Sequence, residues 1–215
     1  MRKAWLVPVV LAFAGCASKP APTWQADAHG SLERYSAAYL AGDARVAQAE
    51  FARARAGLAS AGRADLVARA ELVRCAAAVA SLAFDGCPGF ESIRADAPLD
   101  EQAYAAWLAG KASPDDISRL PVHHRAVALG NADALADIED PFARLVAAGV
   151  LMRTNRATPA SIAIAVDTAS AQGWRRPLLA WLGVQKQRAE QAGDAAAAEA
   201  IGRRMRLVGG DETRR

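Results

Sequence analysis

Apolar side chains recur every three or four residues beyond position 24, which is the spacing of one face of an α-helix. Leu32, Tyr35 and Tyr39 form the first such stripe, and Gly42 follows as a residue suited to end a helix. Asp43 can cap a second helix. The stripe of that second helix is Ala47, Phe51, Ala54 and Leu58.

The third predicted helix carries apolar residues on two faces. One face is Leu66, Ala70, Val73, Ala77, Ala80 and Phe84. The other face is Leu72, Cys75, Val79 and Leu82. A helix that is apolar on two faces has to be covered on both sides, so we expect this helix at the centre of the packing.

Three dipeptides downstream combine a capping side chain with a proline at the first helical position, a strong sign of a helix start. They are Ser113-Pro114, Asp140-Pro141 and Thr158-Pro159. Two further helices are expected over residues 176–192 and 195–208. Their predicted inward residues are Leu178, Trp181 and Leu182 in the first, and Ala197, Ile201, Met205 and Val208 in the second. Residues 85–131 are more broken by glycine and proline.

The predicted fold class is all-α, because the helices follow one another through short connections that favour antiparallel neighbours. Composition agrees with this prediction. Hydrophobic residues make up 53% of the 215 positions but aromatic residues only 6%, since alanine is abundant, and alanine favours helix over strand. Such a chain is too apolar to be intrinsically disordered.

The net charge of +3 carries little information about partners. Two of the 26 basic residues, Arg2 and Lys3, lie in a segment that we expect to be removed, and the rest nearly balance the 23 acidic residues. No dense basic run remains. Nucleic-acid binding is therefore disfavoured.

The chain opens with a basic segment, residues 1–3, followed by an apolar run over residues 4–14 that is too short to span a bilayer. This pattern is typical of an export signal. The run ends in Phe13-Ala14-Gly15-Cys16. The segment resembles the lipobox of bacterial lipoproteins, in which leucine usually stands where this chain has Phe13.

That resemblance implies that Cys16 accepts a diacylglyceryl group and that the mature amino terminus carries palmitate-like acyl chains in the membrane. Ala17, rather than aspartate, follows the cysteine. By the sorting rule of this family, that favours the outer membrane, with the protein on its periplasmic face. The alternative is an ordinary cleavage site at Ala12-Phe13-Ala14, which would give a soluble periplasmic protein beginning at Gly15.

The expected organisation has four parts. Residues 1–15 are a signal peptide, residues 16–23 the lipidated cysteine and a tether, residues 24–208 a helical periplasmic domain, and residues 209–215 a flexible tail. Pro20 and Pro22 favour an extended tether. At about 3.1 Å per residue it spans on the order of 20 Å, so the domain would lie close to the membrane.

The Tyr39-Leu40-Ala41-Gly42-Asp43 turn, with the helical stripe after it, resembles the second half of a tetratricopeptide repeat. The first half departs from that family, because Tyr35 and Ala38 stand where glycine and tyrosine are expected. Residues 106–110 echo residues 38–42 at a separation of 68, twice the family's period. The domain is thus predicted to be either an irregular bundle of helical hairpins or a short tetratricopeptide-like α-solenoid.

Cys75 and Cys87 remain as an even pair in an oxidising compartment, which predicts a disulfide. If the third helix runs to Ala83, residues 84–87 must reverse the chain, and Gly86 and Pro88 suit that reversal. In the alternative interpretation Cys75 is simply a small buried residue and Cys87 lies in a loop.

Candidate chemistry is sparse. His123 and His124 are adjacent, so on a helix they point about 100° apart and cannot jointly chelate a metal; we interpret them as solvated polar residues after Pro121. No nucleophile elbow, phosphate loop or metal motif is present, and no catalytic residue, cofactor or metal is predicted. We expect a protein-binding accessory or assembly factor of the cell envelope. The alternatives are an envelope hydrolase using the His123 and His124 region, and a carrier of a small ligand or lipid.

Overall fold

The computed structural model describes residues 22–210, which form eleven α-helices and no strand, so the all-α prediction is confirmed. In chain order the helices are α1 (Thr23–Ala41), α2 (Ala44–Ser60), α3 (Ala64–Ala80), α4 (Pro88–Glu91), α5 (Leu99–Leu108), α6 (Pro114–Arg119), α7 (Val122–Ala128), α8 (Pro141–Arg153), α9 (Pro159–Ala171), α10 (Arg175–Gln191) and α11 (Ala195–Gly209). Short 3₁₀ turns lie at Arg94–Asp96 and Asp133–Leu135.

The predicted helix starts at prolines are confirmed. The side chains of Ser113, Asp140 and Thr158 each accept a hydrogen bond from the backbone N–H three residues later, at 3.2, 2.6 and 3.1 Å. Each bond satisfies a backbone donor that has no partner within its helix. Asp43 caps α2 in the same way, through the backbone N–H of Val46 at 3.0 Å.

The close packing of α1 and α2 depends on Gly42, which joins the two helices. Gly42 has φ of 90°, in the left-handed region that a residue with a Cβ rarely adopts. Its backbone N–H bonds to the Tyr39 carbonyl, which closes the end of α1. The chain therefore reverses within two residues, and the two helices lie side by side as a hairpin.

Helix α3 lies at the centre of the molecule, as its two apolar stripes predict. Ten of its seventeen residues are buried, and it packs against α1 and α2 on one side and against α5 and α8 on the other. The crossing with α8 is close at Gly149, where a Cβ would overlap the carbonyl of Val79. Glycine is needed at position 149 because α8 can approach α3 this closely only where its residue has no side chain.

Helix α10 joins the later helices to α1 and α3. The indole N–H of Trp181 donates to the Ala80 carbonyl at the end of α3, at 3.1 Å, and the Nε of Arg176 donates to the Tyr39 carbonyl at 2.8 Å. The second bond spans 137 positions of sequence. A solenoid in which each repeat contacts only its neighbours would lack such contacts, so the body is an irregular bundle.

The structure differs from the sequence-based expectations in several boundaries. Helix α3 ends at Ala80 rather than near Ala83, and Leu82 follows with φ of 59°, in the left-handed region. Helices α4, α5 and α7 occupy the stretch expected to be broken. In α10 the predicted inward residues Leu178, Trp181 and Leu182 are all buried. In α11 the predicted inward residues are only half-buried, and Ala198 is the buried one.

No helix within residues 22–210 combines the length and the apolar composition that crossing a membrane requires.

Candidate functional site

A cleft of about 500 Å³ opens between α3, α5, the α6–α7 connection and α8. We call it the Tyr104 cleft. Its apolar floor is formed by Leu72, Val73, Ala76, Tyr104, Leu120 and Phe142. Its polar rim is formed by Arg69, Asp100, Glu101, Arg119 and Arg125. A volume of this size falls in the usual range for ligand pockets in proteins.

Helical spacing places these residues together. On α3, positions 69, 72, 73 and 76 share one face, since each residue turns the helix by 100°. On α5, positions 100, 101 and 104 likewise share a face. Pro121 stops α6 from continuing into α7, and the turn brings Leu120 and Val122 to the same opening.

The rim is positively charged, because three guanidinium groups meet two carboxylates. Arg69 pairs with Glu101 at 2.6 Å, and Arg119 pairs loosely with Asp100 at 3.4 Å. Arg125 instead donates from its Nε to the Leu120 carbonyl at 2.8 Å. Within residues 22–210 its guanidinium has no carboxylate partner, so it can receive an anionic group from outside.

Tyr104 supplies the polar group on the floor. Burial raises the pKa of its hydroxyl well above the ordinary value, and the charge of Asp140 adds to the effect. The hydroxyl therefore stays protonated. No group in the described part of the chain hydrogen-bonds it, so it can donate to and accept from a bound molecule.

Val122 stands at the mouth of the cleft and is 76% exposed. It adjoins the apolar floor through Pro121 and Leu120. A molecule that occupies the cleft can cover Val122 together with the floor, which removes a continuous apolar surface from water.

The histidine pair behind the cleft differs from expectation. His123 is exposed as predicted, but the interpretation of His124 as solvated is wrong: it is 2% exposed and its ring packs on Trp107 with centroids 4.3 Å apart. The α7 turn directs it inward, and the exposed ring of His123 lies edge-on against it with centroids 4.2 Å apart. Burial, with a smaller contribution from the charge of His123, lowers the pKa of His124 to about 3, so the ring is neutral.

Two buried nitrogens in this region have no hydrogen-bond partner among the described residues. They are Nδ1 of His124 and Nε1 of Trp107. Across residues 22–210, no carboxylate lies within ion-pair distance of His123 or His124. Neither ring therefore has the orienting group that a general base usually has.

The structure pairs Cys75 and Cys87 as a disulfide, with Cα atoms 5.7 Å apart. Cys75 is also buried on the apolar stripe of α3, but the alternative interpretation, in which it is only a buried residue, does not hold because it is paired. Cys16, the predicted lipidation site, lies outside the described residues, as do the rest of residues 1–21 and residues 211–215. No group of three or more potential metal ligands is found within residues 22–210.

Sequence reasoning missed every polar residue of the Tyr104 cleft. Asp100 and Glu101 sit in the first turn of α5, where acidic side chains favour a helix start, and this signal could have located the helix. Arg119 and Arg125 gave no comparable signal. They come to the same cleft only because α6 packs on α5 and α7 packs on α8.

Comparison with known proteins adds no assignment to this geometry: no protein-family model, curated protein or solved structure matches the chain.

Proposed function

We propose that the chain is a lipid-anchored lipoprotein on the periplasmic face of the outer membrane, and that its helical body binds a segment of another envelope protein in the Tyr104 cleft. The observation that carries the binding role is the cleft itself, in which an apolar floor continues to the exposed Val122 and is bordered by arginines. The body would act as an accessory or assembly factor.

The chemistry of the cleft suits a protein segment. The floor offers room for one or two apolar side chains, and burying them supplies the main favourable free energy. The Tyr104 hydroxyl can hydrogen-bond a backbone amide or carbonyl. Arg125 can pair with an acidic side chain at the edge, which fixes the orientation of the segment.

The anchor is supported by the basic, apolar and cysteine-containing pattern of residues 1–16. Each acyl methylene buried in lipid contributes about 0.8 kcal/mol, so several chains on Cys16 make attachment permanent. A short tether would then hold the cleft within reach of partners in the same membrane.

Site-specific photo-crosslinking in living cells tests the binding role. A photoreactive amino acid at Val122 should crosslink to a discrete partner, identified by mass spectrometry. The matched control is Leu207 on α11, which is 62% exposed and far along the chain from the cleft. Equal products from both positions, or none from position 122, would contradict the proposal.

A small apolar anion is a second candidate occupant, favoured by the volume of the cleft and by its arginine rim. Native mass spectrometry of the purified full-length chain distinguishes the two. A defined small molecule that is retained by the wild type and lost on Tyr104→Ala, with no protein crosslink from position 122, would support the carrier function instead.

A further inference from the structure

A second, larger depression lies on the other side of α3. It has a volume of about 710 Å³ and is bounded by α1, α2, α3 and the loop that holds Cys87. We call it the disulfide groove. Aromatic and cationic side chains line it, namely Tyr35, Tyr39, Phe51, Arg55, Arg74 and Arg176.

The groove is separate from the Tyr104 cleft. Helix α3 contributes positions 74, 75 and 78 to the groove, and positions 69, 72, 73 and 76 to the cleft. At 100° per residue the two sets lie about half a turn apart. They share no lining residue, although Val73 and Phe142 of the cleft pack on the apolar cluster that contains Tyr35. A substitution at an exposed position of one site, away from that cluster, leaves the lining of the other intact.

Positive charge is in excess at the groove. Arg55 and Arg74 share one buried carboxylate, Glu71, at 2.9 and 2.8 Å, and Glu71 is 3% exposed. Both guanidinium groups remain partly open to the groove, with side chains 43% and 38% exposed. One carboxylate thus compensates two cations, which leaves them able to bind a further anion.

Arg176 adds a third cation from α10. Its guanidinium lies over the ring of Tyr39, 4.3 Å from the centroid, while its Nε donates to the Tyr39 carbonyl. Asp85, on the loop beside Cys87, is the acidic residue of the lining. Three guanidinium groups therefore face one exposed carboxylate across the groove.

Tyr35 lies at the base of the groove with a hydroxyl that lacks a partner. The residue is 3% exposed, and its hydroxyl has no hydrogen bond among the described residues. Burial raises its pKa, while the charges of Arg74 and Arg176 act in the opposite direction because both lie near it. An unpaired buried hydroxyl is costly, and a bound polar group would satisfy it.

The walls suit an extended peptide. The ring of Tyr35 lies 5.2 Å from that of Phe51 and 5.8 Å from that of Tyr39, which gives an aromatic floor. Between the aromatic and cationic groups, the lining residues have short side chains. They are Ala44, Ala47, Ala52 and Ala78. A peptide backbone can approach such a wall closely, and Gln48 can hydrogen-bond its amides.

We infer that the disulfide groove is a second binding site, and that it takes an acidic peptide segment of a partner protein with an aromatic residue beside its carboxylates. The carboxylates pair with Arg74 and Arg176. The aromatic side chain packs on the partly exposed rings of Phe51 and Tyr39, above the buried Tyr35. Charge complementarity selects the acidic segment, and the alanine wall favours a peptide over a compact free anion.

Selection from a random dodecapeptide phage library tests the inference directly. The purified full-length chain is the target, and we expect enriched sequences to combine aspartate or glutamate with an aromatic residue. Fluorescence polarisation measures the affinity of the chain for synthetic versions of the enriched peptides. They should weaken at least tenfold between 50 and 500 mM salt, because the pairing is electrostatic. Enrichment of neutral or basic peptides would overturn the inference.

Ala52 offers a matched pair of variants. It is exposed on α2 and lines the groove, so Ala52→Glu and Ala52→Lys change the local charge in opposite directions and remove no existing contact. We expect Ala52→Glu to weaken binding of the selected peptide at least tenfold and Ala52→Lys to leave it within about threefold. Equal effects of the two variants would overturn the role of charge.

Two further measurements distinguish a peptide in the groove from a peptide in the cleft and from a free anion in the groove. Val122→Asp, in the Tyr104 cleft, should leave peptide affinity unchanged; a loss equal to that of Ala52→Glu would assign the peptide to the cleft and contradict a second site. Glycerol phosphate and glutamate at 1 mM should not displace the peptide. Displacement by either would mean that the groove binds a free anion or lipid headgroup rather than a peptide.

Discussion

The two faces of α3 hold their charged groups in different ways. On the cleft face, Glu101 pairs with Arg69, whose side chain is 68% exposed, and Asp100 pairs with Arg119 at the surface. On the groove face, Glu71 is buried beneath two arginines and the loop of the disulfide. One helix can therefore present a mainly apolar site and a cationic, aromatic site about half a turn apart.

Gly89, in α4 just after Cys87, shows how closely this helix packs on the groove face. A Cβ at this position would overlap the carboxylate of Glu71 and come close to Arg74. Helix α4 can cover the Glu71 carboxylate only because residue 89 lacks a side chain. The cleft face has no covalent closure of this kind among residues 22–210.

The crossing of α3 with α8 supports both faces, so a substitution there should cost the most stability. Gly149→Val forces a side chain into the Val79 carbonyl and should lower the free energy of unfolding by about 3 kcal/mol. Gly57→Ala, in α2, is the matched control. Its new Cβ would lie 3.9 Å from the Cβ of Ala28 in α1, which is an ordinary van der Waals distance. We expect that control to raise stability by about 0.5–1 kcal/mol. Urea denaturation followed by circular dichroism measures both.

Removing the disulfide tests whether the groove needs the bond that holds the Cys87 loop against α3. The bond spans 12 positions, so Cys75→Ser with Cys87→Ser should cost about 2–4 kcal/mol. The double variant should also lose acidic-peptide binding while the Val122 crosslink persists. In the wild type both cysteines should resist alkylation under denaturing conditions until a reductant is added. Full alkylation without reductant would show that the bond is absent.

The buried histidine makes the cleft face sensitive to acid. The folded pKa of His124, about 3, is below its ordinary value of 6.5, so protonation favours the unfolded chain. Stability should fall as pH decreases from about 6.5 towards 3, by up to about 1.4 kcal/mol per pH unit from this group.

His124→Phe removes that titration and should flatten the pH dependence of stability between pH 6.5 and 4.5 relative to the wild type. His123→Gln, on the exposed neighbour, should keep the wild-type slope. Denaturant titrations at several pH values measure the difference. An unchanged slope in His124→Phe would mean that His124 titrates normally and is not enclosed.

Smaller losses of stability are expected when one carboxylate on each face of α3 is replaced by an amide. Glu71→Gln should cost about 1–2 kcal/mol, because a buried acceptor for two arginines becomes neutral, and should tighten acidic-peptide binding severalfold. Glu101→Gln should cost less than about 1 kcal/mol, since its partner is largely solvated, and should not change peptide affinity. Equal effects on peptide affinity would remove the distinction between the faces.

Much of the fold could be predicted from the sequence, because capping residues and apolar stripes depend only on residues close together in the chain. The caps at Ser113, Asp140 and Thr158 fix helix starts within one turn, and the double stripe of α3 placed that helix at the centre. Helix α5 was missed since its cap is Pro98, which makes no side-chain hydrogen bond.

The two sites could not be predicted, because their residues meet only through tertiary packing. Arg176 reaches Tyr39 across 137 positions, and Arg69 reaches Glu101 across 32. The burial of His124 has the same cause. Its neighbours Tyr104 and Trp107 belong to a different helix, and no spacing within α7 indicates them.

Membrane attachment is an independent prediction from residues 1–16. Cys16→Ser should release the protein from membranes, because it removes the site of acylation. A palmitate analogue should label the wild type and not the variant. Label on both proteins, or a soluble wild type, would contradict the proposal that the chain is a lipoprotein and leave the two proposed binding sites untouched.

Two variants, each measured at both sites, test whether the cleft and the groove are independent. Val122→Asp alters the cleft from α7 and Ala52→Glu alters the groove from α2, and neither removes a buried contact. The affinity for the selected acidic peptide reports on the groove. Partner crosslinking from a photoreactive amino acid at Arg119, an exposed position on the rim, reports on the cleft. We predict that Val122→Asp loses the crosslink and keeps the peptide, and that Ala52→Glu does the reverse. Loss of both activities in either variant would contradict two independent sites.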